Sequence, residues 1–157
     1  MKKKITIEYQ EFTSKDQLSK QDAQLLKEAV SACSLSYSPF SNFRVGAALR
    51  LANGEIVKAA NQENEAFPSG LCAERIALFH ALSNFPGVAV ESIAIAAKRG
   101  RRLTETPTRP CGACIQVMLD AQKRGGVPIK VILGSAKKIE VIGSINDLIP
   151  FSFNNLK

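Results

Sequence analysis

Pro110-Cys111-Gly112-Ala113-Cys114-Ile115-Gln116-Val117-Met118-Leu119, closed by Gly125-Gly126 and followed by Ile129-Lys130-Val131-Ile132-Leu133, is the stretch that decides the fold. Ile115, Met118 and Leu119 recur at helical spacing, and the paired glycines stop the helix before a short apolar strand over residues 129–133. Upstream, residues 91–98 read as another buried strand. Residues 72–85, after the Pro68-Ser69-Gly70 turn, read as a helix with Ile76, Phe79 and Leu82 on one side. Residues 44–52 and 55–60 read as strands joined by Asn53-Gly54, the strongest short hairpin signal in the chain. Ser19 followed by Asp22 marks the start of a helix over residues 20–36, apolar at Leu26, Ala29, Val30 and Cys33 and broken by Tyr37-Ser38-Pro39-Phe40. Residues 139–143 add a last strand, and residues 144–148 a short helical turn. Helices that alternate with strands predict an α/β layer architecture with a mixed sheet. Ile5, Ile7 and Tyr9 alternate in the first dozen residues, which suits an edge strand or an arm on a partner subunit.

The chain has 157 residues, 45% of them hydrophobic, which is one domain's worth of sequence with enough apolar surface for a core. We expect a single domain over residues 1–157, with residues 1–18 as an N-terminal arm. No stretch approaches the roughly 20 apolar residues of a membrane span, and Met1-Lys2-Lys3-Lys4-Ile5-Thr6 lacks the apolar run of a secretory signal. The expectation is a cytoplasmic protein with no membrane partner. A net charge of +7 raises the question of nucleic acid. The basic residues lie in short separate runs (Lys2–Lys4; Lys98, Arg99, Arg101 and Arg102; Lys137 and Lys138) without interleaved aromatic residues, so they read as solvated loops and tails.

Four cysteines in a chain expected in a reducing compartment point to metal or catalytic use rather than disulfides. Cys111 and Cys114 are spaced so that both thiolates reach one ion from a helix start, where the helix dipole favours their ionised form. That spacing alone also fits a redox pair or a structural zinc hook. Cys72-Ala73-Glu74-Arg75, at a second helix start, adds a third thiolate and a carboxylate. Three thiolates leave one tetrahedral position of Zn²⁺ open, as in catalytic sites, and Glu74 is within reach of a water there. Cys33 falls on an apolar stripe and reads as a packing residue. His80, eight residues beyond Cys72 and so about 12 Å along the helix, is too far to join the same shell and reads likewise.

Cys72-Ala73-Glu74 and Pro110-Cys111-Gly112-Ala113-Cys114 together match the zinc deaminase signature in its three-cysteine form. With Tyr37-Ser38-Pro39-Phe40-Ser41-Asn42-Phe43, Val45-Gly46-Ala47-Ala48-Leu49 and Asn61-Gln62-Glu63-Asn64, the segment from Tyr37 to Leu133 resembles the small homotetrameric cytidine deaminases. The resemblance implies a three-layer α/β/α sandwich with about five strands, and one Zn²⁺ per subunit held by Cys72, Cys111 and Cys114 with water or hydroxide in the fourth position. It implies hydrolytic deamination of cytidine and deoxycytidine to uridine and deoxyuridine, with Glu74 carrying protons. It also implies that Asn61 and Glu63 bind the sugar hydroxyls, that Phe43 packs on the pyrimidine and that Ala73 contacts the substrate. Arg75 would hydrogen-bond the ligand sulfurs and offset the charge of three thiolates. A Phe near the C-terminus, Phe153 or else Phe151, would reach a neighbouring subunit's site in a homotetramer.

Three positions depart from the family pattern. Ile115 stands where an Arg is usual, Phe67 where a Tyr is usual, and Glu65 in place of a small residue, all of which bear on sugar recognition rather than on deamination. The nearest rival substrate is another cytosine-like compound such as blasticidin S, against which the Asn61-x-Glu63 pair argues. A noncatalytic zinc module is the rival of a different class, and the lack of a fourth protein ligand argues against it.

Overall fold

The computed structural model describes residues 1–154. Its ten regular elements are β1 (Tyr9–Phe12), α1 (Lys20–Ala32), β2 (Phe43–Leu51), β3 (Ile56–Ala60), α2 (Ala73–Asn84), β4 (Val90–Arg99), β5 (Arg102–Leu103), α3 (Gly112–Gly125), β6 (Lys130–Gly134) and β7 (Ile139–Ile142). The strands form one mixed sheet in the order β1-β7-β6-β4-β2-β3, with β5 paired to the end of β4. Only β4 and β6 run parallel, and α3 is the crossover between them. The sheet therefore has seven strands rather than about five. The two extra ones are β1, the edge strand, which pairs with β7, and β5, the returning strand of a basic hairpin that reads in sequence as a loop.

Helices cover both faces, giving the three layers. α2 and α3 pack on one face through Ala77, Leu78, Ala81, Met118 and Leu119 against Leu49, Ile93, Ile95, Val131 and Leu133. On the other face α1 packs Leu25, Leu26 and Ala29 against Ala48, Ala94, Ala96 and Ile132. The alternation of inward and outward side chains along β2, β4 and β6 supplies both cores at once. α1 lies close to the sheet because Gly46 has no Cβ: one placed there would sit 2.1 Å from the Ala29 carbonyl oxygen and 2.6 Å from the Cys33 nitrogen.

Local signals act as their chemistry requires. Ser19 Oγ accepts from the Asp22 N–H at 3.1 Å and caps α1. The Asn53-Gly54 turn, with Gly54 at φ 88°, joins β2 to β3, and Gly126 at φ 68° ends α3. Two expectations need correction. The core side of α2 is Ala73, Ala77, Leu78 and Ala81, because small side chains let the helix approach the sheet; Ile76 and Leu82 are only partly buried and Phe79 is 45% exposed. His80 is exposed on the same helix, its ring beside Asn84, and is not a packing residue. Cys33, by contrast, is fully buried.

Candidate active site and metal centre

α2 and α3 begin at the same end of the sheet, and a cysteine stands at the N-cap of each. Cys72 (φ −71°, ψ 152°) and Cys111 (φ −73°, ψ 165°) have the extended backbone of N-cap residues, and their carbonyls accept the first helical hydrogen bonds from Ile76 and Ile115. Ser, Thr or Asp at such a position would turn its side chain back to the helix. Neither thiol makes a capping bond, so both remain available to a ligand. Cys114, one turn into α3, completes a cluster in which the three sulfurs lie within 4.8 Å of one another, with Cys111 and Cys114 Sγ 3.5 Å apart. A tetrahedral shell with Zn–S bonds of about 2.3 Å places its sulfurs about 3.8 Å apart, so the donor set fits zinc in number, softness and spacing.

The electrostatics favour a thiolate at Cys72. Cys72 is pulled down to about 5, first by hydrogen bonding from the Cys114 thiol and then by Arg75, whose guanidinium lies 3.9 Å from Cys72 Sγ. Cys114 is pushed up in turn, because it holds the proton that Cys72 gives up. Arg75 Nε is buried and has no partner among the described residues. Glu74, 4% exposed, follows Cys72 in the first turn of α2, and burial holds its carboxyl above the ordinary carboxylate range. A carboxyl so raised accepts a proton more readily than an ordinary carboxylate and can hand it on.

The cluster opens into a cleft of 470 Å³ that Phe43, Val45, Asn61, Glu63, Cys72 and Glu74 help to line. Its polar wall is pre-organised. Asn61 Oδ1 accepts from the Val45 N–H (2.8 Å) and Ser36 Oγ (2.7 Å), and Asn61 Nδ2 donates to the Phe43 carbonyl (2.9 Å). Glu63 accepts from the Phe40 N–H (2.8 Å), the Ser41 N–H (3.3 Å) and Ser41 Oγ. Chiefly through Ser41, its carboxyl is held below the ordinary range. On the other side the segment before Pro110 is anchored from β7. Glu140, buried in the sheet, accepts from Arg109 Nη2 at 2.7 and 2.8 Å and so fixes the approach to Cys111.

Known proteins resemble this chain in sequence and fold. Residues 19–127 match the family model for the cytidine and deoxycytidylate deaminase zinc-binding region. The chain belongs to the cytidine and deoxycytidylate deaminase family. It is 39% identical over 130 residues to a cytidine deaminase of Halalkalibacterium halodurans, covering 82% of this chain and 91% of that one. It is 41% identical over 98 residues to a cytidine deaminase of Sporosarcina psychrophila, covering 62% and 67%. The crystal structure of cytidine deaminase from Burkholderia pseudomallei superposes with a TM-score of 0.70 at 35% identity, covering 87% of this chain and all of that one. The matched family region is a zinc-binding one, and the three-cysteine cluster is where this family member has a donor set for that metal.

Among the residues singled out in sequence, Cys72, Cys111 and Cys114 come together, Glu74 joins them, and Phe43, Asn61 and Glu63 border the same cleft. Ala73 is fully buried behind them. Phe153 lies elsewhere: its carbonyl accepts from Gln116 Nε2 at 3.0 Å, beside an outer groove bordered by Phe79, Leu82 and Val117. Of the departures, Phe67 sits on the cleft rim, edge-to-face with Phe40 at 5.7 Å, Glu65 is exposed, and Ile115 packs against the core. Sequence reading missed Phe40, Thr108 and Arg109 as cleft residues. Their only signal is adjacency, Phe40 to the Ser41-Asn42-Phe43 segment and the other two to Pro110.

Proposed function

We propose that this protein hydrolyses the exocyclic amino group of cytidine and deoxycytidine, releasing ammonia and leaving uridine or deoxyuridine. The observation that carries the reading is the buried Glu74 carboxyl beside a three-thiolate cluster at the floor of a cleft of nucleoside size. Zinc on Cys72, Cys111 and Cys114 would supply Lewis acidity, which brings the pKa of water to about 7. Glu74 takes a proton from the attacking water and delivers it to ring N3 as the oxygen bonds to C4. The same carboxyl then moves the remaining hydroxyl proton to the amino nitrogen, so that the C4–N bond breaks and ammonia leaves. Arg75 offsets the charge of the thiolates. Phe43 offers a flat apolar surface to the pyrimidine, while the spare lone pairs of Glu63 and the remaining Asn61 N–H face the sugar hydroxyls.

We assign residues 1–157 to one deaminase domain whose N-terminal arm, residues 1–18, contributes an edge strand. We further propose a homotetramer in the cytoplasm. A reducing compartment suits the thiolate site. The outer groove supports assembly: Phe79, Leu82, Val117 and the 62% exposed Phe153 form an apolar surface, and Phe153 is away from its own chain's cleft, as a residue serving a neighbour's cleft must be. Light scattering should give the mass of four chains. Incubating the zinc-loaded protein separately with cytidine, deoxycytidine and blasticidin S tests the reaction. Uridine and deoxyuridine with equimolar ammonia are expected. Turnover of blasticidin S alone would transfer the site to that substrate, and bound zinc with no turnover would make it a structural centre.

A further inference from the structure

Cys111 is the most exposed of the three clustered thiols and stands at the end of a segment without regular structure. From Thr106 to Pro110 that segment makes no backbone–backbone hydrogen bond among the described residues, and Pro107 and Pro110 have no N–H to donate. Both prolines are buried, which sets the depth of the segment. Its one directional tie is the Arg109 side chain, whose Nη2 donates to both carboxylate oxygens of Glu140 at 2.7 and 2.8 Å. The cysteine two residues further on thus takes its bearing from an acid on β7.

Glu140 is a costly residue for its place. In the sheet it lies opposite Leu133 of β6, a member of the α2/α3 core, and it is 2% exposed. On its other side it lies opposite Glu11 of β1, so two carboxylates face each other across an antiparallel pair, which is destabilising. Lys138 offsets this repulsion, with Nζ 2.8 Å from Glu11 and 3.3 Å from Glu140. A buried ion pair seldom adds stability over apolar residues of similar volume, because the attraction goes largely to replacing lost hydration. Folding stability therefore does not account for two anions and two cations gathered on the cluster face of the sheet. What they hold in place is Arg109, which lines the cleft together with Cys111.

Resting on the thiolate cluster as the zinc site, we propose that Glu140 is a positioning residue of the metal centre: acting through Arg109, it holds the backbone from which Cys111 presents its sulfur. Support of this kind lies outside the donor set, and its removal changes metal affinity or activity about 10- to 100-fold.

The test compares wild type with Glu140→Gln and the Arg109→Met/Glu140→Leu pair in the full chain. Three properties are measured: the rate at which zinc passes to a chelator, the visible spectrum of the cobalt-substituted protein, and the denaturant midpoint of the metal-free protein. Values of kcat and KM for cytidine are taken alongside. The apolar pair should leave the metal-free midpoint unchanged or raised, yet release zinc about tenfold faster and shift the cobalt–thiolate bands. Its kcat should fall while KM stays within about twofold of wild type. Glu140→Gln, which still accepts from Arg109 but has lost the charge, should release zinc at an intermediate rate. Zinc release by the apolar pair within twofold of wild type, or an unchanged cobalt spectrum, would overturn the proposal. So would faster release that accompanies a lowered metal-free midpoint, the mark of a general loss of fold. Should the apolar pair not fold, Glu140→Gln decides by the same zinc and cobalt measurements. A wild type that turns over no cytidine would remove the deamination reading, while the metal measurements would still decide the role of Glu140.

Discussion

Cysteines sit on both faces of the central sheet, and the two faces treat the same side chain in opposite ways. Cys33, at the end of α1, has no exposed surface; its thiol donates towards the Ala96 and Ala29 carbonyls at 3.5 and 3.7 Å, and burial pushes its pKa up. Cys72, on the other face, stands at a helix start beside two more thiols and an arginine, and its pKa falls to about 5. The difference comes from neighbours and from backbone position. An apolar stripe makes a cysteine a small hydrophobe, whereas a free N-cap thiol near other sulfurs becomes a ligand.

Several substitutions would sharpen that contrast or break it. The largest effect is expected at Cys114→Ala, which should abolish stoichiometric zinc by metal analysis and lower turnover by about 10³-fold or more. Loss of zinc from Cys33→Ala instead would reverse the assignment of the two faces. Gly46→Ala should be the most damaging single change on the α1 face. Its methyl would meet backbone atoms of Ala29 and Cys33 that cannot retreat, and a cost of about 3 kcal/mol should appear as a lowered denaturant midpoint. Cys33→Ala should cost about 1 kcal/mol with zinc content unchanged.

A smaller, pH-dependent effect is expected at Glu63. Its folded pKa lies below the unfolded value of about 4.3, because Ser41 Oγ and the N–H groups of Phe40 and Ser41 donate to the carboxylate. The stability it contributes is therefore fully present above about pH 4.3 and is lost as pH falls through the folded value. Glu63→Gln should be less stable than wild type at pH 7, and the gap should close on acidification. A gap independent of pH would mean that the carboxylate's charge has no part in holding the Phe40–Phe43 segment.

Much of this was legible in the sequence, for physical reasons. Period, caps and glycines locate α1, β2, β3, α2, β4, α3, β6 and β7 to within a few residues, since each buries a face with a regular repeat. The thiolate cluster was legible because Cys72-x-Glu74 and Cys111-x-x-Cys114 each stand at a helix start. What failed depends on partners. β5 is two residues long and takes its identity from pairing with β4, and the Gly100 turn at φ 57° is hidden among like charges. Phe79 has the periodicity of a core residue, but the helix is held close to the sheet by alanines and the phenyl ring is left outside. The hydrogen bonds that occupy Asn61 and Glu63 join segments about 20 residues apart, so no local pattern carries them.

The central claim is that Glu74 moves the protons of a deamination for which the thiolate cluster holds the metal. Ammonia release from cytidine, measured side by side for zinc-loaded wild type and zinc-loaded Glu74→Gln at equal metal content, tests it most directly. The account predicts steady release by the wild type and a loss of about 10³-fold in the variant, which should still bind zinc and cytidine. Near-normal turnover by Glu74→Gln with full zinc occupancy would contradict it.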